Sequence, residues 1–101
     1  MKMTFPQRVE EARRLAILQL LEVAGGYEIS EPLLALALRD TGLGVSTEAL
    51  ADDLRFLRSE RLVDLGELAD LLVARLTQRG LETAQGILRV AGVARPVPVR
   101  T

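Results

Sequence analysis

The side chains able to do chemistry in this sequence are carboxylates and guanidiniums, because it contains no Cys and no His. That absence excludes disulfides, thiolate or imidazole metal sites and the usual nucleophile and base pairs. Asp52-Asp53 is the one adjacent pair of acids in the middle of the chain that invites an acid-base or divalent-cation role. Both roles need carboxylates that converge, and consecutive residues on a helix point about 100° apart. The expectation is therefore a non-enzymatic protein with no catalytic residues, no bound cofactor and no metal. Arg55 has the chemistry to contact a phosphate or a guanine edge, the commonest specific base contact. Its structural reading, an ion pair or hydrogen bond to Asp52 or Ser59 on a solvated helix face, is favoured by the local excess of acid. Arg8, Arg13 and Arg14 early in the chain, and Arg89, Arg95 and Arg100 late in it, are further cationic candidates for a polyanion. For each, solvation on an exposed face is the ordinary alternative.

The element that must carry Arg55 is "STEALADDLRFLRSERLV", residues 46–63. Ser46 or Thr47 caps its start, and at about 100° per residue Leu50, Leu54 and Leu57 fall on one inward face. Glu48, Asp52, Arg55, Phe56 and Ser59 then face the other way. Phe56 either tucks under a neighbouring helix or anchors a partner protein, since aromatics are enriched in interface cores. Ahead of this helix, residues 6–24 repeat apolar side chains at three and four (Val9, Ala12, Ala16, Ile17, Leu20, Leu21, Ala24), which predicts an amphipathic helix begun by Pro6 and closed by Gly25-Gly26. "YEI" is a short extended candidate, and Ser30 can cap a second helix with the body "LLALALRD". "TGLGVS" breaks it before the third.

After the third helix, "RLVDLGELADLLVARLT" reads as strand, turn and strand, with Leu62–Leu65 paired to Leu72–Leu76 across a loop containing Gly66 and Asp70. A helix over 67–76 is the competing reading, because Leu, Ala and Glu favour helix. Thr77 caps a last helix, "QRGLETAQGILRVAG", with a stripe of Leu81, Ala84, Ile87, Leu88 and Ala91, and the prolines of "ARPVPVRT" predict a flexible tail. The boundaries expected are a single domain over 1–93 and a tail over 94–101.

A chain of 101 residues, 49% apolar, supports one small core. With no signal-like segment and no apolar run long enough to span a bilayer, a cytoplasmic protein without membrane contact is expected. The net charge of -1 lacks the basic excess of a typical nucleic-acid footprint. Residues 27–60, which would face DNA, carry three Arg against seven acids.

The order helix, helix, helix, hairpin, helix, with "DLRFLRSERLV" followed by "LLVARLTQRG", resembles the winged-helix regulators of the ArsR and MarR type. The matching residues are Leu54, Leu57, Leu62, Val63, Leu76, Thr77 and Gly80, about the middle third of the chain. The resemblance implies a mainly α fold with a small β-hairpin, a winged helix-turn-helix. The whole chain also looks like a small winged-helix protein family of Mu-like transposable phages. Two departures stand out. Glu48, Ala51, Asp52 and Asp53 occupy groove-facing positions, with Asp64, Glu67 and Asp70 on the wing, and Arg61 stands where those families end the helix in Gly.

The first functional expectation is a phage-derived regulator or accessory factor that binds double-stranded DNA through Ser46, Thr47, Arg55 and Arg58, working as a homodimer through its terminal helices. The alternative is a winged-helix adaptor for a protein partner, as in phage assembly or packaging, contacting it through Glu48, Asp52, Phe56 and Ser59 without binding DNA.

Overall fold

In the computed structural model, which describes residues 2–97, the first helix, α1 (Phe5–Val23), opens on a capping box. The Thr4 hydroxyl accepts from the Gln7 backbone N–H, and the Gln7 side chain accepts from the Thr4 N–H. This reciprocal satisfaction of orphan donors is encoded by Thr4 and Gln7, while Pro6 occupies the first turn. The inward stripe is rotated from the expected one: Arg13, Leu15, Ile17, Leu18 and Leu21 are buried, and Ala16 and Leu20 flank them. A single turn of 3-10 helix, Gly25–Tyr27, leads into β1 (Glu28–Ser30) and then α2 (Glu31–Asp40).

The helices α2, α3 (Thr47–Ser59) and α4 (Gln78–Ala84) end in the same way. In each, the second residue past the cap donates five residues back, as Leu43 to Leu38, Leu62 to Leu57 and Ile87 to Glu82. This is the Schellman arrangement, which needs a left-handed residue just before that donor. Gly42 (φ 78°) and Gly86 (φ 81°) supply it for α2 and α4, and Arg61 (φ 62°) supplies it for α3. Gly86 thereby stops the last helix at Ala84. The expected stripe to Ala91 is corrected accordingly, and Ile87 is left 72% exposed.

A non-glycine residue held left-handed costs about 1–2 kcal/mol. Replacing Arg61 by Gly is therefore expected to raise stability by about 1 kcal/mol after the larger chain entropy of Gly is subtracted. The change reads out as a higher urea midpoint, and a lower midpoint would refute the strain assigned to Arg61.

Residues 63–76 form a hairpin, not the competing helix: β2 (Val63–Leu68) runs antiparallel to β3 (Leu71–Leu76), with Leu68 opposite Leu71. The turn is the two residues Ala69 and Asp70, both with positive φ, the geometry that matches strand twist. Gly66 lies within β2, opposite Val73, instead of in the loop. β1 adds to the other edge of β3, giving the order β1-β3-β2. The described residues thus form four helices and a three-stranded antiparallel sheet, with more residues in helix than in strand.

The core lies between the sheet and the helices. Ile17, Leu18 and Leu21 of α1 meet Leu34 and Leu38 of α2, Leu50, Leu54 and Leu57 of α3, and Leu62, Val63 and Ala74 of the hairpin, all essentially inaccessible. The motif residues that carry the regulator resemblance are core or cap groups. Leu54, Leu57, Leu62, Val63 and Leu76 are buried, Thr77 caps α4 through the Gly80 N–H, and Gly80 packs on the Leu62 carbonyl. Beyond α4, Val90 and Val93 return to the core and the Ala94 N–H donates to the Glu11 carbonyl of α1. Of the expected tail, residues 94–97 are described, and 98–101, including Arg100, lie outside the described residues.

Candidate functional site

The outward face of α3 is set by its inward one. Ser46 is the N-cap, its hydroxyl accepting from the Ala49 N–H at 3.1 Å, so the side chain is already engaged, and Thr47 and Glu48 follow in the exposed first turn. Arg55 is ion-paired with Asp52, three residues earlier, with both side chains exposed. The Ser59 hydroxyl donates to the Phe56 carbonyl. Arg58 is exposed and makes no ion pair among the described residues. The structure therefore brings Ser46, Thr47, Arg55 and Arg58 onto one helix, but two of the four are spent locally.

Asp53 departs from the expected outward position. It is 1% exposed and receives hydrogen bonds from Arg13 Nε at 2.5 Å and Arg14 Nε at 3.1 Å, so α3 is clasped to α1 by a buried carboxylate between two guanidiniums. Arg13 and Arg14 are correspondingly removed from the set of free cations. Arg14 goes further: it also pairs with Glu10, donates to the Gly92 carbonyl at 3.1 Å and lies over the Phe56 ring, 3.9 Å from its centroid. A Cβ on Gly92 would fall 2.5 Å from Phe56 Cζ, so backbone covers the ring from that side. Phe56 is thus half-buried against α1 and the C-terminal segment, which corrects its placement on the adaptor surface beside Glu48, Asp52 and Ser59. A signal for Asp53 was present in the wheel: it lies only about 40° from Leu57 and about 60° from Leu50. Its partners were not deducible from spacing, since they sit about forty positions away.

Beside α3 the hairpin forms the second wall of an open groove of about 300 Å³. Arg55, Arg58 and Ala51 line one side, and Leu65, Leu72 and Glu67 the other. The hairpin itself is acidic. Asp64, Glu67 and Asp70 are exposed and make no ion pair among the described residues, and Arg75 stands in register between Glu28 and Asp64. Its tip is also apolar, with Leu68 72% and Leu71 44% exposed. The hairpin laid on a duplex in this form would bring carboxylates to phosphates.

The remaining cationic candidates converge elsewhere. Arg8 of α1 and Arg89 and Arg95 of the C-terminal segment surround a groove of about 640 Å³ floored by Val90, Val93 and Ala94. All three arginines are exposed and none forms an ion pair among the described residues. The terminal helices, expected to meet a second chain, pack on one another within this one, α1 against α4. Among the described residues no helix is long and apolar enough to cross a membrane, and no cluster of acids is arranged to hold a metal ion.

Neither a family model nor a solved structure matches the chain. A relative does: the protein named Uncharacterized protein gp26, from Escherichia phage Mu, is 38% identical over 88 residues, which span 87% of this chain and 91% of the relative. Identity of that extent reaches from the terminal helices through the hairpin, and the chain belongs to the phage protein family of Mu gp26.

Proposed function

We propose that this phage-family chain is a winged helix used, without catalysis, as a protein-interaction module, with the groove between α3 and the hairpin as its contact surface. Support for the winged-helix reading comes from the order of elements, one short strand between α1 and α2, a hairpin after α3 and a helix after the hairpin, together with the sheet order β1-β3-β2. The observation that carries the interaction reading is the charge of the wing. Asp64, Glu67 and Asp70 make no ion pair there among the described residues, while Arg55, across the groove from Glu67, is already neutralised by Asp52. Duplex affinity comes mainly from cations that displace counterions from phosphate, and of the two arginines lining this groove only Arg58 makes no ion pair among the described residues. The apolar floor of Ala51, Leu65 and Leu72 instead suits a protein segment, since apolar centres with polar rims are the anatomy of protein contacts.

One observation favours duplex DNA as a second reading. With Asp53 turned inward, Arg58 and the N-terminal backbone of α3 are left as a phosphate-facing edge beside Ser46 and Thr47. A fluorescence titration against random and phage-derived duplexes at low and moderate salt separates the two. The interaction reading predicts no saturable binding below millimolar DNA. Submillimolar binding that weakens steeply with salt and is lost in Arg55→Ala and Arg58→Ala would replace it with the DNA reading.

A further inference from the structure

The groove around Arg8, Arg89 and Arg95 and the tip of the hairpin are built from separate residues and have opposite character. The groove is open, lined by Met3, Ala91 and Ala94 over the buried Val90 and Val93, and rimmed by Arg8, Arg89 and Arg95, which make no ion pair among the described residues, against one half-buried acid, Glu11. The tip presents Leu68 and Leu71 to solvent next to Glu67 and Asp70, whose carboxylates make no ion pair among the described residues. Both are exposed in the single chain. A volume near 640 Å³ falls in the range that takes a ligand of several side chains, and the tip is a narrow ribbon turned by only two residues.

We infer that the chain associates with itself head to tail, the acidic, leucine-tipped hairpin of one copy seated in the arginine-rimmed groove of the next. This rests on reading the hairpin as a protein-contact element and names its partner as a second copy. Leu68 and Leu71 lie on Met3 and Ala91, the exposed apolar lining over the buried Val90 and Val93, and Glu67 and Asp70 take guanidinium partners from Arg8, Arg89 and Arg95. A phosphate backbone would satisfy the arginines alone and leave the apolar floor bare. Because knob and hole lie on different residues, the contact is heterologous: each copy uses one of each, and association continues into a ring or a filament. The terminal-helix pairing expected from sequence would instead be a closed two-fold dimer.

Light scattering on the full chain over a concentration series tests this. The mass is expected to rise with concentration above the 11.1 kDa of one chain, through sizes beyond the dimer, and to fall as salt is added. Arg89→Glu with Arg95→Glu, at exposed positions, removes the groove charge. Glu67→Lys with Asp70→Asn removes the tip charge, Asn keeping the left-handed turn at position 70. Each pair is expected to weaken association at least about tenfold with circular dichroism unchanged, since like charges now face each other. Mixing the two variants restores assembly, because each reversed surface then meets an opposite one. A mass that stays at one chain at low salt overturns the inference, and so does association indifferent to both pairs. Groove reversal that abolishes duplex binding and leaves self-association intact reassigns the groove to a polyanion. A monomer that leaves DNA unbound overturns self-association alone, whereas DNA binding lost with Arg55 and Arg58 overturns the interaction reading of α3.

Discussion

Replacing Asp53 by Ala is expected to lower the stability of the chain by about 3–5 kcal/mol, the range for breaking a buried ion pair from one side. The loss is large because two guanidiniums converge on this carboxylate. Arg13 is 7% exposed and donates through Nε, and Arg14 donates from the same helix while stacked on Phe56. Removing the acid leaves the buried Arg13 without an ion-pair partner among the described residues and beside Arg14, which keeps Glu10 and the Gly92 carbonyl. A small domain has roughly 5–15 kcal/mol in total, so the variant should unfold at much lower urea, with α1 and α3 losing their link. The sign is checked by a second substitution. Arg13→Met in the Asp53→Ala background removes one of the stranded charges and is expected to recover part of the loss, since buried ion pairs replaced by apolar groups often cost little. A variant Asp53→Ala as stable as the parent would show that the clasp contributes nothing.

Gly80→Ala carries the second largest effect, and its sign opposes local propensity. Within a helix, Ala is better than Gly by about 1 kcal/mol, so the sequence alone predicts a gain. In α4, however, a Cβ at position 80 would stand 2.0 Å from the Leu62 carbonyl oxygen and 2.7 Å from Leu76 Cδ1. The leucine side chain has room to adjust. The carbonyl does not, because it accepts the Thr77 N–H at 3.1 Å and belongs to the turn that leads α3 into the hairpin. Overpacking of this kind costs about 1–3 kcal/mol and occasionally more, and a contact with backbone belongs at the upper end. A net loss of about 2 kcal/mol is expected in urea unfolding. An unchanged or raised midpoint would mean that α4 slides freely on the hairpin.

These two residues also mark where sequence reasoning succeeded and where it stopped. Gly80 was singled out as part of a motif, and Leu50, Leu54 and Leu57 were assigned inward from their spacing, because both depend on local geometry that a helical wheel and a cap pattern encode. The hairpin was legible for the same reason, although its turn, Ala69-Asp70, contains no glycine to announce it. Asp53 reads as an outward acid by its charge and as an inward one by its position on the wheel, and a buried acid declares itself only when its cations are found. Those cations come from Arg13 and Arg14, about forty residues earlier, which spacing cannot reach. The last helix was overextended for a different reason. Its apolar period runs on past Gly86, and the decision to stop belongs to one left-handed residue and the hydrogen bonds it allows. The arginine-rimmed groove was the least legible feature, since Arg8 joins Arg89 and Arg95 only once the chain after α4 folds back along α1 through the bond from Ala94 to Glu11.

The charge reading of α3 changes with this packing. Seven acids against three arginines across residues 27–60 overstated the negative surface of the helix, because Asp53 is internal and Asp52 is matched by Arg55. The acids without an ion pair among the described residues lie on the hairpin, at Asp64, Glu67 and Asp70. On the protein-interaction reading, specific base contacts of about 1–3 kcal/mol each do not offset the repulsion between these carboxylates and phosphate.

The most direct test of that claim is an amide-resolved NMR titration of the labelled chain with a short duplex at low salt. The protein-interaction reading predicts that the amides of residues 46–59 and 63–72 keep their shifts at millimolar duplex. Saturable shifts centred on Ser46, Thr47, Arg55 and Arg58, reversed by salt, would contradict it.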